Sequence, residues 1–294
     1  MKPTPHLAET SMLSTSLLPG SGHVLRVSAF SQTGVQHAVN QDCVSFRSPD
    51  AFVVADGVGG GAWGEVASAM LAQAMSALFR PDEHAVQAAM VKLDSDIAAK
   101  LQSLGDDAGA SVVACLWPLG SGNDEHLASW VGDCQLSHWQ PNRAGWTLSW
   151  SSTEQSYERF GLLPPAGVPA HSPANMVGCG MGLPVSHHRL HFNTYERMVL
   201  SSDGFWRSVN TAQIADFMNR FNAQLPADAA EQLCAMALRE GSQDDISVLV
   251  IEKINAIPSP MYRSARKYAP VLTLLGLAMA TLAAWSIWQH GWLG

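Results

Sequence analysis

The sequence predicts an α+β domain of stacked antiparallel sheets with helices outside, followed by one membrane-spanning helix. Two observations carry this. Strand-like runs come in groups and helical patterns come in groups, without strict βαβ alternation. The apolar surplus of the chain is concentrated at one end. Hydrophobic residues make up 47% and charged residues 14%, against roughly 25% charged in ordinary soluble domains.

The elements follow in chain order. Residues 1–22 hold three prolines, one Lys and no apolar run, so they read as a flexible leader and not as a secretory signal. The domain is expected over 23–254. His23–Phe30 alternates apolar and polar residues, as a half-buried strand does, and Ala51–Ala55 is a short apolar run suited to a buried strand. Glu65–Leu78 carries Val66, Ala69, Met70, Ala74 and Leu78 at helical spacing, and His84–Leu104 carries Val86, Met90, Leu93, Ile97 and Leu101. Further strands are expected over Ala110–Trp117, Leu127–Val131, Gln135–Trp139, Arg197–Ser201 and Ile246–Glu252, and helices over Ala212–Phe221 and Ala227–Glu240. Residues 151–190, rich in Ser, Pro and Gly, read as a long irregular flap. Pro258 and Pro260 mark a linker over 255–268.

Residues 269–288 (APVLTLLGLAMATLAAWSIW) contain no charge. Twenty residues at 1.5 Å each span a hydrocarbon core. Arg263, Arg266 and Lys267 precede the segment, and Trp285, Trp288 and Trp292 cluster at its far end. The positive-inside rule then leaves the domain in the cytoplasm, tail-anchored in the inner membrane, with a short tail over 289–294. Residues 261–294 hold three basic and no acidic residues, so the 260 before them carry a net charge of −11 against −8 for the whole chain. A broad basic nucleic-acid-binding surface is not expected on such a domain. Five scattered cysteines without a C-x-x-C pair argue against a disulfide framework or a structural zinc site. His187, His188 and His191 make a poor chelate, because adjacent strand residues point to opposite faces.

Four aspartates stand at strand ends: Asp42 in VNQDCVSF, Asp56 in VVADGVGGG, Asp203 in VLSSDGFW and Asp244 in GSQDDISVLV. An Asp at a sheet edge can be held rigidly with its carboxylate in a cleft. Several carboxylates converging without Lys or Arg repel one another unless a divalent cation joins them. Oxygen donors suit Mg²⁺ or Mn²⁺. Gly57, Gly59, Gly60 and Gly61 let the backbone come close to a metal or phosphate.

Taken in order, VNQD, VVADGVGGGAWGEVAS, GASVVACLW, ASWVGDCQLSHW, LSSDGFW and SQDDISVLV resemble the metal-dependent type 2C protein phosphatases, the PPM family, of bacterial type. The resemblance covers about residues 23–252. It implies an αββα sandwich of two antiparallel sheets flanked by helices, two Mn²⁺ or Mg²⁺ ions in a cleft at one end, and hydrolysis of phosphoserine and phosphothreonine in proteins by a metal-bridged hydroxide. Carried over by motif, Asp56 would bridge both ions, the Gly57 carbonyl would ligate one, and Asp203 and Asp244 would bind the other. Asp42 would hydrogen-bond to metal-held water. Asp133, in WVGDCQ, matches a position that supports a weaker third ion. Phosphorylated proteins, substrates of a cognate bacterial Ser/Thr kinase, are the implied partners.

Two positions depart from the family pattern. His37 stands where an Arg usually clamps phosphate. It can donate a single hydrogen bond, where a guanidinium grips in a bidentate manner, or it is a surface histidine without a role. Arg207 stands where another Asp usually supports the third ion. A cation there disfavours that ion, and either supplies phosphate-binding charge or is a solvated surface residue. These departures leave a second reading: a pseudophosphatase or membrane scaffold that binds phosphoproteins with weak or no catalysis. Retention of Asp56, Asp203 and Asp244 favours the enzyme.

Overall fold

The computed structural model describes residues 9–18, 21–58, 63–105, 109–120, 124–179 and 184–256. Eleven strands and six helices run in the order β1 (Glu9–Leu18), β2 (His23–Gln32), β3 (Asp42–Arg47), β4 (Ala51–Val58), α1 (Gly64–Ala77), α2 (Glu83–Ser103), β5 (Ala110–Pro118), β6 (Glu125–Val131), β7 (Gln135–Asn142), β8 (Gly145–Ser151), α3 (Tyr157–Phe160), β9 (Ser186–His191), β10 (Arg197–Ser201), α4 (Asp203–Trp206), α5 (Thr211–Arg220), α6 (Ala229–Arg239) and β11 (Ile246–Asn255) among the described residues.

The strands form two antiparallel sheets. One has the order β1-β2-β11-β10-β7-β8, the other β3-β4-β5-β6-β9. Strand periodicity explains the layering. On β5, Val112, Ala114 and Leu116 face the core between the sheets, while Val113, Cys115 and Trp117 face α1 and α2. On β11, Leu249 and Ile251 point between the sheets, and Ile246, Val248 and Val250 point to α5 and α6. A strand covered on both faces needs apolar residues at successive positions, which is why these segments read as continuous apolar runs. The result is helix, sheet, sheet, helix, the expected sandwich.

The helices have local reasons to start where they do. The Asp82 side chain accepts a hydrogen bond from the Ala85 amide and caps α2. Asn210 and Gln213 form a reciprocal capping box on α5. Both satisfy amides that the first helical turn leaves without partners.

Three expectations need correction. Residues 9–18 of the supposed leader form β1, paired with β2 across all ten positions. Met12 and Leu18 pack on the core between the sheets, whereas Leu13 and Leu17 stand exposed. The alternation is genuine but is written in Ser, Thr, Met and Leu, without the Val, Ile and aromatic residues that mark a strand. Second, β2 is not half-buried. Ser28 lies under α6, where its hydroxyl donates to the Ala227 carbonyl and accepts from the Ala230 amide. Third, the flap ends in β9, whose His187 bonds Ser129 and whose His188 stacks on Trp150 at 4.3 Å. The three histidines therefore do not converge. The linker beyond Ala256, the span over 269–288 and the tail over 289–294 lie outside the described residues. Among the described residues, no helix is long and apolar enough to cross a membrane.

Candidate metal and phosphate site

The two sheets bring their acidic ends together. Asp42 begins β3 and lies directly opposite Asp56, near the end of β4. Asp203 follows β10 as the first residue of α4, and Asp244 lies two residues before β11. Asp133 sits in the turn between β6 and β7. A cleft of about 250 Å³ is lined by Asp56, Gly57, Asp133, Asp203 and Asp244 together with His37, Gln41 and the flap residues His171, Ser172 and Pro173.

Backbone contact fixes this convergence. A β-carbon on Gly57 would lie 2.5 Å from the Gly64 carbonyl group, and one on Gly204 would lie 2.1 Å from the Asp245 carbonyl oxygen. Only glycine permits the β4–α1 and α4–β11 approaches that place Asp56 beside Asp203 and Asp244. The Gly57 amide donates to the Gln41 carbonyl, and the Ser111 hydroxyl donates to the Asp56 carbonyl. Gly59, Gly60 and Gly61 lie outside the described residues.

The electrostatics are those of crowded, dehydrated carboxylates. Burial, and then the neighbouring Asp42, Asp203, Asp133 and Asp244 charges, push the Asp56 carboxyl well above the usual range. Burial raises Asp42 likewise, against the hydrogen bond its Oδ2 accepts from Ser202 at 2.7 Å. Asp244 is raised by burial and by Asp203. Asp133 is pushed up to about 7, chiefly by burial and by Asp203. A divalent cation removes this conflict, because it meets oxygen donors and offsets their charge. The buried Asp42 Oδ1 has no hydrogen-bond partner, which is costly unless something beyond the protein meets it. The donor set, all oxygen and with a buried acceptor left over, fits Mg²⁺ or Mn²⁺.

His37 joins the cleft. Its Nδ1 lies 3.0 Å from Asp245 Oδ2 and 3.7 Å from Asp244 Oδ1. Asp245 is a site residue that the sequence reading missed. It is 3% exposed and accepts from the Gly34 amide at 2.6 Å and the Gln41 amide at 2.7 Å. It thus shapes the loop that delivers His37 and Asp42. The doubled acid of SQDDISV was the available signal.

Arg207 corrects the sequence reading most clearly. The carboxylates do not converge without a cation, and Arg207, though at the surface, is engaged with them. Its Nε donates to Asp203 Oδ2 at 3.1 Å. Its Nη2 donates to Asp133 Oδ2 at 3.0 Å, to Glu154 Oε2 at 3.2 Å and to the His171 carbonyl at 3.0 Å. The guanidinium also lies over the Trp206 ring, 4.4 Å from its centre. Asp133, expected to support a third ion, is engaged with Arg207.

Comparison with known proteins agrees with this geometry. Residues 184–246, which carry Asp203 and Asp244, match the family model described as Protein phosphatase 2C. A probable protein phosphatase 2C 41 of Oryza sativa subsp. japonica is 45% identical over 58 residues, a match that spans 20% of this chain and 20% of that protein. Among solved structures, PppA, described as a key regulatory component of T6SS in Pseudomonas aeruginosa, superposes with a TM-score of 0.65 at 20% identity, over 82% of this chain and 100% of that one. The catalytic domain of the serine threonine protein phosphatase PstP in complex with two manganese ions superposes with a TM-score of 0.62 at 25% identity, over 79% and 99%. The described domain shares the fold of these phosphatases, and its residues 184–246 match the protein phosphatase 2C model.

Proposed function

We propose that this chain hydrolyses phosphoserine and phosphothreonine in proteins with two divalent ions, and does so at the cytoplasmic face of the inner membrane. The convergence of Asp56, Asp203 and Asp244 in one cleft, with Asp42 beside Asp56 and its buried Oδ1 acceptor unmet, carries the catalytic part. The uncharged stretch over 269–288 and its basic collar support the membrane part.

Asp56, the Gly57 carbonyl, Asp203 and Asp244 would hold the ions, Mn²⁺ or Mg²⁺. When bound, such ions acidify water toward neutrality and offset phosphate charge. The chain's own residues do the rest. Asp42, fixed through Oδ2 by Ser202, leaves Oδ1 to accept a hydrogen bond from the attacking water and so orient it. His37, turned by Asp245 through Nδ1, presents Nε2 as a donor to a phosphate oxygen. The flap residues His171, Ser172 and Pro173 wall the cleft and limit its water. A purely binding protein would gain nothing from four crowded carboxylates, so the scaffold reading is not adopted. Phosphoproteins are the substrates this site fits, and a Ser/Thr kinase is the class of enzyme that must supply them.

The full chain, expressed in bacterial cells, should sediment with membranes and, in detergent, cleave p-nitrophenyl phosphate and a phosphothreonine peptide with Mn²⁺. Asp203→Ala should lower kcat at least a thousandfold. Wild type as inert as the variant across metals and pH would end the enzyme reading. Full recovery in the soluble fraction would end the membrane reading.

A further inference from the structure

We propose that Arg207 is a positioning residue: a resident cation that latches the flap onto the acidic end of the sheets. The observation is the reach of a single guanidinium. It bonds Asp203 at the start of α4, Asp133 in the β6–β7 turn, and both Glu154 and His171 on the flap. The planar guanidinium serves acceptors from three segments at once through Nε and Nη2, in a fixed fork that a freely rotating ammonium lacks. Trp206 makes a platform for it. The indole Nε1 donates to the Asp133 carbonyl at 2.8 Å while its ring lies under the guanidinium.

The flap has a second, independent anchor that defines what Arg207 adds. At its base, the Gln155 amide donates to the Gly132 carbonyl and the Gln155 side chain accepts from the Gly132 amide. The flap then runs out and returns, with the Tyr157 amide donating to the Ser172 carbonyl and the Glu158 amide to the Ala170 carbonyl. The returning arm, 170–173, is the part that enters the cleft, and His171 on that arm is what Arg207 grips. Gln155 therefore holds the base, and Arg207 sets how closely the arm sits over Asp56 and Asp203. The same guanidinium places a positive charge among Asp133, Glu154 and Asp203. In this chain the flap is closed onto the site by a covalently attached cation rather than by a diffusible one.

The latch is tested on the full chain in detergent and EDTA, by hydrogen exchange of the flap amides at 157–174. Arg207→Gln should speed that exchange at least tenfold while α2 amides keep their wild-type rates. Glu154→Gln, which leaves the Arg207 contacts to Asp133 and Asp203 in place, should speed it severalfold and serves if Arg207→Gln does not fold. Wild-type flap exchange in the folded variants would overturn the latch. Equilibrium dialysis with Mn²⁺ tests the cation role: Arg207→Gln should take up one ion more per chain than wild type, and an equal count would overturn it. The Mn²⁺ arm rests on the metal reading above, and the exchange arm does not. A wild type that binds no Mn²⁺ would sink that reading and leave the latch standing.

Discussion

At the scale of single residues, the site depends on a pairing in which one partner was legible and the other was not. His37 stands out because an imidazole occupies the place where a phosphate clamp is expected. Asp245, which turns it, does not stand out, because a second Asp after Asp244 reads as more negative charge at a turn. Its burial and its two amide donors come from the loop over 33–41 folding back onto it, a contact across more than two hundred positions of sequence. A guanidinium at position 37 would keep the partnership with Asp245 and add a fork for phosphate. His37→Arg should therefore lower KM for a phosphothreonine peptide about tenfold with little change in kcat. Steady-state kinetics on the two proteins measure this, and an unchanged KM would remove His37 from the phosphate.

At the scale of elements, most of the fold was legible. The strand expected over Arg197–Ser201 is β10 residue for residue, and the helices expected over Glu65–Leu78 and Ala212–Phe221 differ from α1 and α5 by one residue at each end. Periodicity works here because each of these elements buries a face against a neighbour. Leu71 illustrates the energetics. It is fully buried on the face of α1 that covers β4 and β5, and its truncation leaves a cavity in a packed layer. Leu71→Ala should destabilise the domain by about 3 kcal/mol, read as a shift in the chemical denaturation midpoint at unchanged slope. The elements that escaped share one trait: their burial is set by partners and not by composition. β1 is Ser- and Thr-rich, β9 is mostly polar, and β3 and β8 mix polar and apolar residues at a sheet margin. β3 and β9 are the two edges of one sheet, and β1 and β8 are the edges of the other. Edge strands need less apolar surface than central ones, so they leave a weaker signal.

At the scale of the whole molecule, the sandwich also buries ionisable groups far from the cleft. His126 on β6 lies edge-on to Phe192, with Nδ1 2.9 Å from the Asp124 carbonyl. Burial, opposed by that hydrogen bond, lowers its pKa to about 4 from 6.5. The sign follows from linkage. The unfolded chain takes up this proton below pH 6.5, and the folded chain only near pH 4, so folding stability is lost as pH falls through that window. Between pH 7 and pH 5 the loss from this group is about 2 kcal/mol. His126→Asn keeps a donor for the Asp124 carbonyl and removes the titration. Urea unfolding at the two pH values should show a pH-dependent loss about 2 kcal/mol smaller in the variant, and equal losses would mean that His126 is already charged in the fold.

By itself, the sequence determined the sandwich class, the order of its central elements, the aspartates that meet at one end of the sheets, and the uncharged stretch over 269–288. Each of these is a local pattern: a period, an Asp at a strand end, or a run without charge. Only the tertiary structure decided that residues 9–18 are a strand, that Asp245 orients His37, and that Arg207 joins Asp203 and Asp133 to the flap. These depend on which segments lie side by side once the two sheets have packed. A guanidinium looks the same in sequence whether it faces water or three carboxylates. The difference lies in its neighbours, and those come from Asp133, Glu154, His171 and Asp203, positions spread over seventy residues that the fold brings to one point.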